Sequence, residues 1–145
     1  MIEPDKRRSI DLLVEQFWKQ GYLTVSRRYG TYLPEPSKVG KFEIDILARY
    51  KKNYAIGITL TEDDLKDPKI LEKLSYLATR QTKFTNKRVL LFVGVPNEYF
   101  KIAKELTDFL DQSARKNIRL FPIVEKYIPS KQSRKREKEE TTLFS

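Results

Sequence analysis

Two carboxylates, Glu43 and Asp45, stand two residues apart in the run KFEIDILARYKKNYAIGITL at residues 41–60. In a strand, residues at that spacing share a face. Two acids on one face repel each other unless a cation or a partner lies between them. The chain has no histidine and no cysteine. That excludes serine–histidine chemistry, histidine general bases, thiolate metal sites and most zinc enzymes. A metal in this chain would be held by carboxylate and carbonyl oxygens, which suits Mg²⁺ or Mn²⁺. Any catalytic role for side-chain bases falls on the acids, Asp45 and Glu43 among them.

Residues 41–60 read as a hairpin turning at Lys51, Lys52 and Asn53. Phe42, Ile44 and Ile46 point one way, Glu43 and Asp45 the other. In the second strand Tyr54, Ile56, Ile58 and Leu60 alternate with Ala55, Gly57 and Thr59. The fold is expected to bury Ile44, Ile46, Ile56, Ile58 and Leu91. Ahead of the hairpin, residues 5–20 read as a helix with Pro4 before it and Gly21 closing it, and Ile10, Leu13, Val14 and Phe17 as its apolar face. Asp11 and Glu15 lie four apart on a neighbouring face. Lys6, Arg7 and Arg8 sit in the first turn, where the helix dipole disfavours cations, a mismatch compatible with an outside anion contact. Residues 22–29 form a strand. A loop at 30–40 with Pro34 and Pro36 follows, and such loops carry binding residues; Thr31, Tyr32 and Lys38 are its candidates.

After the hairpin, residues 61–66 read as an acidic connection. Asp67 caps the next helix and Pro68 opens it, with Ile70, Leu71, Leu74, Leu77 and Ala78 as its buried stripe. Its other side carries Lys69, Lys73, Tyr76, Arg80 and Lys83 at helical offsets, a line of cations around one aromatic. That suits charge neutralisation and stacking along a phosphate backbone, and would equally suit a solvated face. Residues 87–95 are a continuous apolar strand for the centre of a covered sheet. Asn97 caps a third helix to about Lys116, with Phe100, Ala103, Leu106, Leu110 and Ala114 inward. Residues 118–124 are a last strand, made an edge by Pro122. The fold class is α/β, one domain over residues 1–125. Residues 126–145 lose apolar periodicity in a mixed-charge run and read as a disordered tail.

Lys and Arg number 29 against 20 Asp and Glu, a net charge of +9 with a pI near 9.6. This balance favours a polyanionic partner. No apolar run is long enough to span a membrane, and the first residues lack the apolar core of a signal peptide. A cytoplasmic protein is expected, with no membrane partner.

An acid in one strand, a polar turn and an apolar second strand resemble the core of the PD-(D/E)XK nucleases, the restriction-endonuclease-like fold. The run Glu43-Ile44-Asp45 followed by apolar residues and Ala48 is similar to small bacterial members and to archaeal Holliday-junction resolvases. The resemblance implies an α-β-β-β-α-β core, here with an extra helix and edge strand, and Asp45 as the first metal ligand. It implies Glu-x-Lys in the second strand, where Gly57 and Thr59 stand instead. It also makes DNA the favoured partner and a homodimer a candidate assembly. Glu43, Glu15 or Glu62 could replace the missing acid, and Lys41, Lys69 or Lys73 the missing lysine. Three functions follow. The first is a cleavage-deficient nucleic-acid-binding protein using Lys38, Lys41, Lys69, Lys73, Tyr76, Arg80 and Lys83. The second is a Mg²⁺- or Mn²⁺-dependent DNA endonuclease with a rearranged site. The third is a protein-interaction module.

Overall fold

Five extended segments build a sheet in the order β1-β2-β3-β4-β5, in which the continuously apolar strand at 90–96, expected at the centre, stands instead next to the edge strand β5. The computed structural model describes residues 5–83 and 85–124. The strands are β1 (Leu23–Arg27), β2 (Ile46–Tyr50), β3 (Asn53–Thr59), β4 (Leu90–Pro96) and β5 (Ile118–Ile123). β1, β2 and β3 pair antiparallel, whereas β3, β4 and β5 pair parallel. The helices are α1 (Lys6–Lys19), α2 (Glu62–Lys66), α3 (Ile70–Ala78), α4 (Phe100–Thr107) and α5 (Gln112–Arg115), with one 3₁₀ turn at Asn97–Tyr99. The tail expected at 126–145 lies outside the described residues.

Helix α1 starts where Asp5 accepts the Arg8 amide at 2.8 Å, and it covers one face of the sheet. Ile10, Leu13, Val14 and Phe17 pack there with Ile46, Ala48, Ala55 and Phe92. The Phe17 ring stacks on Phe92 at 4.2 Å and 5°. On the other face, Ile56, Ile58, Leu91, Val93 and Val95 meet Leu74 and Leu77 of α3, Ala103 of α4 and Ala114 of α5. The alternation of β3 and β4 between these two clusters makes three layers, helix on sheet on helix. Leu91 donates its amide to the Asn117 carbonyl at 2.9 Å, so in the parallel ladder the even-numbered residues of β5 turn their backbone outward. Pro122 falls on an outward position of this edge strand, where its missing N–H leaves no ladder bond unmade.

Four local expectations need correction. The first hairpin strand begins at Ile46, not near Lys41, because Gly40 (φ 61°) and the Val39–Phe42 bridge turn the chain and Asp45 sits in a bend. Ile44 and Ile46 therefore enter opposite clusters rather than sharing a face. Residues 62–66 are helix, started by a capping box in which Thr61 and Asp64 exchange side-chain-to-backbone bonds of 3.2 and 2.8 Å. Asp67 precedes α3 by more than one position: its carboxylate takes the Lys69 amide at 2.9 Å, and the helix opens at Ile70. The helix expected over 97–116 breaks between α4 and α5, with Asp111 at the start of the second piece. Among the described residues no helix is long and apolar enough to cross a membrane.

Candidate functional site

Asp45 is 4 % exposed, and each of its carboxylate oxygens is already engaged. Oδ2 accepts the Thr59 amide at 2.8 Å and the Thr59 hydroxyl at 3.1 Å, and pairs with Lys6 Nζ at 3.1 Å. Oδ1 accepts from Arg28 Nη1 at 3.3 Å. The backbone fixes the same residue twice more. Its amide donates to the Gly57 carbonyl and its carbonyl accepts the Arg28 amide, both at 2.9 Å. Lys6 also donates to the Thr59 carbonyl at 2.8 Å, tying the start of α1 to the end of β3. Burying a lone carboxylate costs several kcal/mol; two cations and two Thr59 donors offset that here. Burial works to lower the Arg28 pKa, but Asp45, Tyr29 and Glu43 outweigh it and hold the guanidinium above its ordinary value.

The cation demanded by the two neighbouring acids is thus supplied by the chain. Arg28 Nη1 lies 3.3 Å from Asp45 and 3.9 Å from Glu43. Sequence reasoning missed both partners of Asp45. The signal for Lys6 was its unfavourable place in the first turn of α1, and the anion that answers it is internal. Glu43 does not reach the Asp45 carboxylate as a second ligand: it stands in solvent beside Arg28. Glu15 is exposed on α1, nine residues beyond Lys6, or about 13 Å along the axis. Asp11 is held by Arg27 at 2.7 Å. Glu62 pairs with Lys66 at 3.0 Å, and hydrogen bonds from Lys66 and Tyr99 hold its pKa below the usual carboxylate value.

At Gly57, where the resemblance would put an acid, an added Cβ would lie 2.7 Å from Phe17 Cε2 and 3.0 Å from Ile46 Cβ. The space a carboxylate would need is filled by the ring that stacks on Phe92. Thr59 uses both its amide and its hydroxyl on Asp45. A divalent ion at Asp45 would have to displace the Lys6 ammonium and would meet the Arg28 guanidinium standing between Asp45 and Glu43, so these residues as arranged do not fit Mg²⁺ or Mn²⁺. Among the described residues no group of three or more acids converges on a point.

The basic line divides differently from its helical spacing. α3 ends at Ala78, so Arg80 and Lys83 lie beyond it. Tyr76 is packed, with its ring 5.5 Å from Phe42 and under the Arg80 guanidinium at 3.7 Å, its hydroxyl filling the space over Gly40. Arg80 Nε donates to the Tyr76 carbonyl at 2.8 Å. Lys41 pairs with Glu72 at 3.0 Å. Lys38, Lys69, Lys73 and Lys83 have no carboxylate within ion-pair reach among the described residues. Lys38, Arg80 and Lys83 line one groove of about 680 Å³, floored by Ile44, Leu47 and Tyr54, with Glu35 as its acid. Tyr32, from the loop at 30–40, is 95 % exposed. No family model, no curated protein and no solved structure matches this chain.

Proposed function

We propose that this chain is a nucleic-acid-binding protein, with DNA as its partner, on a restriction-endonuclease-like fold whose metal position has become an internal salt bridge. The observation that carries the reading is the closed Asp45 site. Phosphodiester hydrolysis at neutral pH relies on a metal to activate water and stabilise charge at phosphorus. With Lys6 on Asp45 and Phe17 over Gly57, that machinery has no place at the hairpin. What remains for a polyanion is the groove rimmed by Lys38, Arg80 and Lys83, together with Lys69 just before α3 and Lys73 on it. Arg80 is held in place by Tyr76, while the lysines are free to follow a backbone. Lys41 and Tyr76 belong to the support of that surface rather than to its contacts.

The test is a gel-shift series in EDTA with labelled duplex and single-stranded DNA over rising salt. Three phosphate contacts should cost roughly forty-fold in affinity across a four-fold rise in salt, because bound counterions are released. The double variant Lys38→Glu, Lys83→Glu should abolish the shift without altering the melting temperature. No shift at low salt would reject the reading. A second reading has its own observation: Leu23 of β1 and Trp18 of α1 are 70 % and 64 % exposed, apolar surface that suits a protein partner.

A further inference from the structure

A second cleft lies away from both Asp45 and the Lys38 groove, and shares no lining residue with that groove. It has a volume of about 920 Å³, within the range of small-molecule sites, and runs along β5, the last strand in the sheet order. Its two halves differ in chemistry. One wall is aromatic: Tyr22, Tyr50, Phe92 and Phe121 contribute to it. These rings already form a connected set, with Tyr22 5.8 Å from Tyr50 and 5.7 Å from Phe92, and Phe92 5.2 Å from Phe121. Tyr50 is 42 % exposed at the end of this set, and Lys51 Nζ lies 5.4 Å from its ring centroid, so a base stacking there would meet the ring together with a further cation.

The other half is cationic. Lys104, Arg115, Lys116 and Arg119 line it against a single acid, Asp108. None of the four has a carboxylate within ion-pair distance among the described residues. The two arginines are oriented by backbone carbonyls instead. Arg119 Nη1 donates to the Lys116 carbonyl at 2.7 Å and the Ile118 carbonyl at 3.2 Å, and Arg115 Nη1 lies 3.4 Å from the Asp108 carbonyl. A carbonyl holds a guanidinium in place without neutralising it, and each guanidinium keeps further N–H donors for an anion. Burial raises the Tyr22 pKa while Arg119 acts against it, which puts the Arg119 charge beside the aromatic wall. The Arg119 bond to the Ile118 carbonyl, together with Pro122, also blunts the strand edge, so an added strand is the poorer occupant.

We propose that this cleft binds a nucleoside phosphate, its base stacked against the Tyr50 wall and its phosphate held by Lys104, Arg115, Lys116 and Arg119. The same chemistry is offered by a free nucleotide and by the 5′-phosphorylated end of a strand. Neither aromatic stacking nor charge alone uses both halves, and a phosphorylated base does. The site does not depend on the Lys38 groove.

Calorimetric titration in EDTA with AMP, ADP, adenosine and inorganic phosphate tests it. AMP and ADP should bind saturably, and more tightly than either adenosine or phosphate. Lys104→Ala with Lys116→Ala, both on exposed side chains, should weaken the nucleotides roughly tenfold. Tyr50→Leu should weaken them roughly fivefold or more through lost stacking, and leave phosphate unchanged. Lys38→Ala with Lys83→Ala should have no effect on the nucleotides. Comparing 5′-phosphorylated with 5′-hydroxyl oligonucleotides separates the two sources: a preference for the phosphorylated end assigns a strand terminus, and equal binding assigns the free nucleotide. Absence of saturable nucleotide binding would overturn the proposal. So would nucleotide binding that survives the Lys104, Lys116 and Tyr50 changes intact, whatever happens in the gel shifts.

Discussion

Gly57 and Phe17 together decide what the Asp45 end of the sheet can do. A glycine in the middle of a buried strand leaves its face empty, and the Phe17 ring takes the space over it while stacking on Phe92. Any larger side chain at 57 must push that ring off its partner. Gly57→Ala is expected to cost about 1–3 kcal/mol, read as a lower urea midpoint, by overpacking. Gly57→Ala combined with Phe17→Leu should recover part of the loss, whereas a penalty unaffected by Phe17→Leu would mean that the ring is not what the added methyl meets. The glycine was visible in the sequence as the residue standing where the resemblance to nucleases would put an acid. Its filler was not, because helical periodicity shows that Phe17 faces inward but not which strand residue it meets. Asp45 was legible as an acid needing a cation. That the cation is Lys6, distant in sequence, depends on how α1 crosses the sheet.

Helix α3 shows how far an element can be read from spacing. Its apolar stripe, with Ile70, Leu74, Leu77 and Ala78 buried, follows the expected pattern. The basic line did not survive as a helical feature, since the helix stops at Ala78 and Arg80 folds back onto Tyr76. Spacing alone cannot distinguish a residue on the helix from one just past its end. The same limit explains α2, where the acids of residues 62–64 looked like a connection but suit a first helical turn and its dipole. Tyr76 and Lys73, once members of one line, now separate. Tyr76→Ala removes the ring that packs on Phe42 and under Arg80 and should lower stability by about 2–4 kcal/mol. Lys73→Ala should leave the melting temperature within a degree or two of wild type and reduce DNA affinity a few-fold. Thermal melting and gel shifts on both variants check this, and the opposite pattern would return Tyr76 to the contact surface.

At the scale of the whole molecule, the sheet carries a neutralised carboxylate, a basic groove near β1 and β2, and a cationic aromatic cleft along β5. The mixed α/β architecture was readable from alternation and from one continuous apolar strand, and the edge position of β5 from Pro122; the place of the apolar strand beside that edge rather than at the centre was not. The distribution of a net charge of +9 over separate surfaces was not, because composition gives the sum and only the fold gives the places. The most direct measurement is a cleavage and binding assay on labelled duplex DNA with wild type and Asp45→Asn, in EDTA, Mg²⁺ and Mn²⁺, beside a melting curve of each protein. Asp45→Asn leaves Lys6 and Arg28 without their shared anion. Both cations keep some contact with water, so the expected loss is about 2–3 kcal/mol rather than the full cost of breaking a buried pair. The expected result is binding by both proteins, no cleavage in any metal, and a lower melting temperature for Asp45→Asn. Metal-dependent cleavage by the wild type that disappears in Asp45→Asn would contradict the account, and would make Asp45 a metal ligand after all.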